Sequence, residues 1–136
     1  MTETSSPSEV RVSRNKLVLC QYIGEEDFEV DQSFNVYWLN YIITIHVGFA
    51  TDLASKPIGR KSGKWNMAAI VHDFLYHGGE VRDRDTGVMA QPTQHEADRI
   101  FRDLMKYSGV DEDTYTQMYA AVRIFGHFTW DKYHDH

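Results

Sequence analysis

Hydrophobic and polar residues alternate along the first third of the chain with a period of two. Phe34, Val36 and Trp38 fall on one side of such a run, and Phe28 and Val30 alternate with charged neighbours. A period of two places successive side chains on opposite faces of a β-strand, so one face is buried and the other faces water. The pattern predicts four short strands in a small antiparallel sheet, at residues 16–23, 28–30, 34–39 and 42–47.

Further along, apolar residues recur three and four positions apart, which is typical of one face of an α-helix. The first stripe, ended by two glycines, consists of Met67, Ile70, Val71, Phe74 and Leu75. A capping box of Thr93 and Glu96 precedes the second stripe, which consists of Ala97, Ile100, Phe101, Leu104 and Met105. A third helix, starting at Asp111 or Asp113 and fading after Trp130, is predicted to carry inward Tyr115, Met118, Tyr119, Val122, Phe125 and Gly126. The predicted fold is therefore α+β, a small antiparallel β-sheet followed by three helices.

Three segments show neither the period of two of a strand nor the three-and-four spacing of a helix. Residues 1–14 are predicted to be a flexible N-terminal arm, and residues 15–133 a single domain. Residues 48–64 form a long stretch with three glycines and Pro57, and a loop of that length in a small domain is often functional. Residues 80–91 are polar and are predicted to be another loop.

Composition limits the class of protein. With 42% hydrophobic and 13% aromatic residues in a chain of 136, there is ample material for a core. The single cysteine, Cys20, excludes an internal disulfide, and its apolar surroundings favour a buried structural thiol, a pattern that suits a reducing compartment. No apolar run approaches the roughly 20 residues that span a bilayer. The polar start of the chain predicts no signal peptide, so we expect no membrane insertion.

The net charge of −6 makes nucleic acid an improbable partner, because an acidic surface repels a phosphate backbone. The one basic cluster is interpreted as a solvated loop with some capacity to hold an anion, and it consists of Lys56, Arg60, Lys61 and Lys64.

The first helix carries a second, polar stripe beside its apolar one. His72, Asp73 and Tyr76 lie at this edge of the core, where partial burial shifts pKa values. His72 is the most versatile of them, since an imidazole acts as base, acid or metal ligand near neutral pH. The alternative interpretation is that His72 and Asp73 hydrogen-bond neighbouring loops and hold the fold together.

Other candidates come from the loop and the second helix. Asp52 and Ser55 follow the last predicted strand, where they either present reacting groups or cap a turn. Asp98 lies at the margin of the second stripe, where it either pairs with a surface arginine or reaches the first helix. A set of His72, Asp73 and Asp98, with Asp52 added, mixes imidazole with carboxylates and would suit a divalent metal that activates water.

Stronger signatures of other chemistries are missing. The sequence contains no H-E-x-x-H helix, no pair of C-x-x-C motifs and no P-loop. An adjacent His-Asp is similar to that of the HD phosphohydrolases, but those enzymes are all-helical and need a further histidine on a preceding helix. Ser55 paired with His72 as a nucleophile lacks the G-x-S-x-G elbow.

Two stretches together carry a family resemblance. Residues 48–57, GFATDLASKP, and residues 68–76, AAIVHDFLY, resemble the paired signatures G-F-x-T-D-x-A-S-x-P and A-A-x-x-H-D-x-x-Y of a family of short phage and prophage proteins. The family is catalogued as a domain of unknown function (thirteen fifty-three), and the resemblance covers about residues 26–131. One departure is Lys56, where the family often has a small or apolar residue.

The resemblance implies a phage or prophage setting without an established activity. It also implies that the shared polar residues form one site, namely Thr51, Asp52, Ser55, His72, Asp73, Tyr76 and Asp98. We therefore expect an accessory or virion-associated protein in the host cytoplasm or the phage particle, with other phage or host proteins as partners. The alternative is a metal-dependent hydrolase of cell-wall material or a nucleotide, with catalytic residues among Asp52, Ser55, His72, Asp73 and Tyr76.

Overall fold

The computed structural model describes residues 10–13, 19–21, 28–51 and 66–134. Its strands are β1 (Val10–Val12), β2 (Leu19–Gln21), β3 (Phe28–Val30), β4 (Phe34–Trp38), β5 (Tyr41–Ile45), β6 (Ala50–Thr51), β7 (Val81–Asp83) and β8 (Met89–Ala90). Its helices are α1 (Asn66–Tyr76), α2 (Gln94–Tyr107), α3 (Glu112–Phe125) and α4 (His127–His134). The predicted α+β class is confirmed.

The larger sheet has five antiparallel strands in the order β1-β4-β5-β7-β8. Its centre is the β4–β5 hairpin, which turns at Leu39 and Asn40 with Leu39 in the left-handed region at φ 49°. The predicted alternation of β4 is confirmed, because Phe34, Val36 and Trp38 are buried while the residues between them are partly exposed. One face of this sheet is therefore core and the other is open.

A second antiparallel sheet, of three strands in the order β2-β3-β6, was not separated from the first by sequence reasoning. It joins the core through Val30, which is fully buried. Cys20 lies in β2, and the prediction of its burial lies outside what the structure describes.

Two other segments differ from their sequence-based predictions. Residues 10–12 were predicted to belong to the flexible arm, yet they form β1 and pair with β4. Residues 80–91 were predicted to be a loop, but β7 extends the sheet from β5 and β8 pairs with β7. These strands of two or three residues are too short to show an alternating pattern.

Helix α2 packs against the inner face of the five-stranded sheet. Helix α2 lies between the sheet, α1 and α3, and all five members of its predicted apolar stripe are buried. In α1 the predicted stripe is also buried, apart from Phe74, which is partly exposed. These two predicted stripes build most of the helical half of the core.

The predicted third helix is wrong in its extent and in its inward residues. It is two helices, α3 and α4, separated at Gly126. Of the residues predicted to point inward, only Met118 is fully buried in α3, and Phe125 is 65% exposed. Helix α4 has no buried residue of its own and rests on the end of α1 through Trp130.

No helix in the described part of the chain combines the length and the apolar character needed to cross a membrane.

Candidate functional site: a buried carboxylate between three helices

The site is built around Asp98, a fully buried acid in the second turn of α2. The start of α2 is fixed by a capping box: the Glu96 amide donates to Thr93 Oγ1 and the Thr93 amide donates to Glu96 Oε1. A helix whose first turn is fixed in this way holds the residues that follow at defined angles. Asp98 thus points from the margin of the apolar stripe towards α1 and α3. Of the two alternatives left open by the sequence, this is the one in which Asp98 reaches the first helix.

Both oxygen atoms of Asp98 accept hydrogen bonds from neighbouring helices. Its Oδ1 lies 2.8 Å from His72 Nε2 and 2.6 Å from the Tyr76 hydroxyl, both on α1. Its Oδ2 accepts from Arg123 Nη1 of α3 at 2.6 Å. Because a carboxylate only accepts, His72 presents a protonated Nε2 to it. The carboxylate therefore links three helices through charge-assisted hydrogen bonds.

Tyr76 extends this network to the first turn of α2. Its hydroxyl donates to Asp98 and accepts from Gln94 Nε2 at 3.2 Å. Burial raises the pKa of Tyr76 far above its ordinary value, and the hydrogen bond to Asp98 and the negative charge of that residue raise the pKa further. The phenol stays protonated and acts as a donor rather than as a base.

Aromatic rings close the site on its remaining sides. The ring centroid of His72 lies 4.1 Å from that of Tyr76 and 4.5 Å from that of Phe101. Trp130 of α4 packs edge-on against Tyr76 with a centroid distance of 5.2 Å. His72 is 5% exposed and Asp98 0%, so solvent and solutes have little access to either group in this conformation.

The backbone at Gly126 lies directly against the Tyr76 side chain. A Cβ atom at this position would overlap the Tyr76 hydroxyl oxygen and the Val122 carbonyl oxygen. The φ of Gly126, −67°, is that of ordinary helix, so glycine is required here for space and not for backbone conformation.

The structure brings together three of the predicted site residues, His72, Tyr76 and Asp98. Asp73 is directed elsewhere: its Oδ1 lies 3.1 Å from His77 Nδ1, one turn further along α1. The other two predicted catalytic residues, Asp52 and Ser55, lie outside the described residues, as does the side chain of Thr51. The basic cluster around Lys56 also lies outside them.

The predicted metal set was His72, Asp73 and Asp98. Within the described ranges, no three His, Cys, Asp or Glu side chains are grouped so that they could hold a metal ion. His72 and Asp98 contact each other directly, and the remaining hydrogen bonds of Asp98 come from Tyr76 and Arg123. In this conformation the carboxylate is thus occupied by protein donors.

Sequence reasoning missed two members of the network, Arg123 and Gln94. Arg123 lies within the predicted third helix, but it was given no role. The available signal was its position four residues after the half-buried Tyr119, where an arginine at the edge of a stripe reaches inward through its long stem.

A second buried acid, Asp103, was also missed. Asp103 Oδ2 accepts a hydrogen bond of 2.7 Å from Trp38 Nε1, and Arg102 Nε lies 3.4 Å from its Oδ1. Arg99 covers the same indole, with its guanidinium carbon 5.4 Å from the ring centroid. Because a buried indole N–H needs an acceptor, this acid has a structural role in joining α2 to the sheet.

Comparison with known proteins identifies the family. The model of the family described as "Protein of unknown function (DUF1353)" matches residues 28–122, which is more than half of the chain. No curated protein and no solved structure matches the chain significantly. The matched range contains β3 to β8, α1 and α2. Of the Asp98 network it includes His72, Tyr76, Gln94 and Asp98, but neither Arg123 of α3 nor Trp130 of α4. The chain therefore belongs to the DUF1353 family.

Proposed function

We propose that this chain is a phage- or prophage-encoded accessory or virion-associated protein without catalytic activity, which works by docking on other phage or host proteins. The observation that carries the proposal is an exposed apolar surface at the junction of α3 and α4. It consists of Ile124, Phe125 and Phe128, which are 60%, 65% and 69% exposed. We call these three residues the bend surface.

The position of the bend surface favours docking. Ile124 and Phe125 lie in the last turn of α3, and Phe128 lies in the first turn of α4, on a face turned away from the core. Single exposed apolar residues are common, but a cluster of large ones marks an interaction site. Aromatic residues also supply most of the binding free energy at many protein interfaces.

The Asp98 network supports the noncatalytic part of the proposal. A catalytic carboxylate or imidazole needs a face open to substrate, whereas His72, Tyr76 and Asp98 are all buried. The carboxylate of Asp98 accepts from His72 and Tyr76 of α1 and from Arg123 of α3, and so joins both helices to α2. Such an arrangement fixes the relative positions of α1, α2 and α3, and so holds the bend surface in place.

The test is to purify particles from the genome that encodes the chain and to quantify the protein by mass spectrometry. A virion-associated protein is present at a fixed copy number per particle through density-gradient and size-exclusion steps. An accessory protein that docks on a host or phage protein is absent from particles but co-purifies with one partner at constant stoichiometry. A chain that appears in neither form contradicts the proposal.

The alternative is a metal-dependent hydrolase of cell-wall material or a nucleotide that uses His72, Asp73 and Asp98. One observation favours it: the His72–Asp98 pair at 2.8 Å, since a carboxylate commonly orients a histidine for acid–base or metal chemistry. Metal analysis of the purified chain separates the two proposals. One equivalent of zinc or manganese that is lost on His72→Gln, in a variant that still folds, would favour the hydrolase.

A further inference from the structure

The five-stranded sheet has an outer face, opposite the core, on which one row of side chains crosses all five strands. The register places Arg11 beside Tyr37, Tyr37 beside Ile42, Ile42 beside Arg82, and Arg82 beside Met89. Arg11, Arg82 and Met89 are exposed, and Tyr37 and Ile42 are partly exposed. This row is therefore accessible to a partner along its whole length.

The row is basic, in contrast to the chain as a whole. Arg84, just after β7, joins Arg11 and Arg82, and its Nη1 donates to the Leu39 carbonyl oxygen at 3.1 Å. The guanidinium carbons of Arg11 and Arg84 lie 5.6 Å and 5.8 Å from the centroid of the Tyr37 ring. Three positive charges thus lie on one face of a protein whose net charge is −6.

None of the three arginines forms an ion pair with a carboxylate among the residues that the structure describes. Elsewhere in the same part of the chain arginines do have acidic partners: Arg123 pairs with Asp98, and Arg102 with Asp103. The Tyr37 ring holds the guanidinium groups of Arg11 and Arg84 by cation–π contact, which uses their faces and not their N–H groups. One N–H group of Arg84 donates to the Leu39 carbonyl oxygen, and the others remain for a partner. A planar guanidinium with open N–H edges is suited to bind a carboxylate through two parallel hydrogen bonds.

We propose that the outer face of the sheet binds an extended acidic segment of a partner protein. Neighbouring strands lie about 4.8 Å apart, so the three steps from β1 to β7 separate the Arg11 and Arg82 backbones by about 14 Å. An extended segment advances about 3.4 Å per residue, so side chains four residues apart on one side also span about 14 Å. The matching segment has acidic residues at positions i and i+4, with an apolar residue at i+2 over Ile42.

A single-stranded nucleic acid is the competing occupant, and two observations disfavour it. Bases would have to stack on Tyr37, but two guanidinium groups already occupy that ring. The net charge of −6 also repels a long phosphate backbone more strongly than a short segment with two carboxylates. This inference uses a different surface from the bend surface and does not rest on the proposed docking there.

The test is a titration followed by two-dimensional NMR of the full chain, with the peptide Gly-Glu-Thr-Val-Thr-Glu-Gly as the probe. We expect shifts concentrated in β1, β4, β5 and β7, and at the same peptide concentration no such shifts with both Glu replaced by Gln. The double variant R11Q/R82Q should bind about tenfold more weakly, because two exposed charge pairs are lost. The matched control K106Q/K132Q removes the same charge from exposed helix positions and should change the affinity by less than about twofold.

Arg84→Gln is made as a second variant. Thermal melts of the parent and of every variant show whether a loss of binding is caused by a loss of folding. Equal binding of the Glu and Gln peptides, or an equal loss in the K106Q/K132Q control, would overturn the inference. Tighter binding of an oligothymidine than of the peptide would assign the face to nucleic acid. Self-association through this face, seen by sedimentation and abolished in R11Q/R82Q, would assign it to a second copy.

Discussion

Asp98 has hydrogen-bond donors on both of its oxygen atoms, and this determines the effect of a substitution there. The charge of the carboxylate is balanced by Arg123, and the donors of His72 and Tyr76 fill the other oxygen. A buried ion pair adds little net stability when it is complete, but removal of one partner leaves a buried charge without compensation. The free energy of unfolding therefore falls mainly when one member of the network is removed.

We expect Asp98→Asn to lower the free energy of unfolding by about 1–3 kcal/mol, because the neutral amide turns an N–H group towards existing donors and leaves a buried donor without an acceptor. The Arg123 side chain is 36% exposed, so water compensates much of the loss of its charged partner. Urea denaturation followed by circular dichroism measures the change. The matched control is Asp131→Asn at an exposed position of α4, which should stay within about 0.5 kcal/mol of the parent. Equal stability of the two variants would mean that the network does not hold the helices together.

The raised pKa of Tyr76 predicts a distinct dependence of stability on pH. An unfolded tyrosine ionises near pH 10, whereas in the folded state burial and Asp98 keep the Tyr76 phenol protonated well above that value. Its contribution is fully present below about pH 10 and is lost as the pH rises further, because the unfolded state then releases a proton that the folded state retains.

We expect the free energy of unfolding of the parent to fall above about pH 10 more steeply than that of Tyr76→Phe, by up to about 1.4 kcal/mol per pH unit for the one proton involved. Denaturation series at fixed pH values above and below 10 measure the two slopes. The pKa of Tyr41 is also raised, by burial and by Glu96, so Tyr41→Phe should lessen the same fall and measures the part of it that does not come from Tyr76. Parallel curves for the parent and Tyr76→Phe would show that Tyr76 ionises in the folded protein.

At the scale of elements, the close approach of Gly126 to Tyr76 fixes the junction of α3 and α4. Alanine normally stabilises a helical position relative to glycine. At Gly126 we expect the opposite, a loss of about 1–3 kcal/mol, because the added Cβ overlaps the Tyr76 hydroxyl and the Val122 carbonyl. Thermal and urea denaturation of Gly126→Ala measure this loss, with Thr116→Ala at an exposed position of α3 as the tolerated control.

A double-mutant cycle with Tyr76→Phe tests the cause of that loss. Removal of the hydroxyl oxygen takes away one of the two atoms that the Cβ overlaps, so Gly126→Ala should be less destabilising in the Tyr76→Phe background than in the parent. Strictly additive effects would show that the overlap with Tyr76 is not what makes glycine necessary here.

Elements with a strong period and clear ends were predictable from the sequence, and elements without them were not. The stripe of α2 begins at the capping box of Thr93 and Glu96, so both its inward face and its start were correct. The stripe of α3 continues in sequence through Phe125, but the break at Gly126 and the packing of Trp130 against Tyr76 leave Phe125 outside the core. The helical period of apolar residues alone does not determine whether that face of the helix is buried against another element.

At the scale of the whole molecule, the candidate site could also be predicted only in part, because sequence patterns do not fix which helices pack together. His72 and Tyr76 lie four residues apart on α1, so their shared face followed from spacing. Their meeting with Asp98 was one of two alternatives left open, because the pairing of two helices is not fixed by the pattern of either one. The role of Arg123 depends on the packing of a third helix, which no local pattern determined.

The bend surface gives a prediction for the assembled protein. Phe128 is 69% exposed and lies outside the core, so Phe128→Glu should leave the free energy of unfolding within about 0.5 kcal/mol of the parent. By contrast, Met118→Ala removes a fully buried side chain and should lower the free energy of unfolding by about 2–5 kcal/mol.

If the bend surface is the docking site, Phe128→Glu abolishes recovery of the chain with particles or with its partner protein. Tyr107→Glu, which places the same charge at an exposed aromatic position in the last turn of α2, leaves recovery unchanged. Normal recovery of a stable Phe128→Glu chain would move the docking site away from the bend surface, while a similar loss in both variants would show that recovery responds to added charge alone.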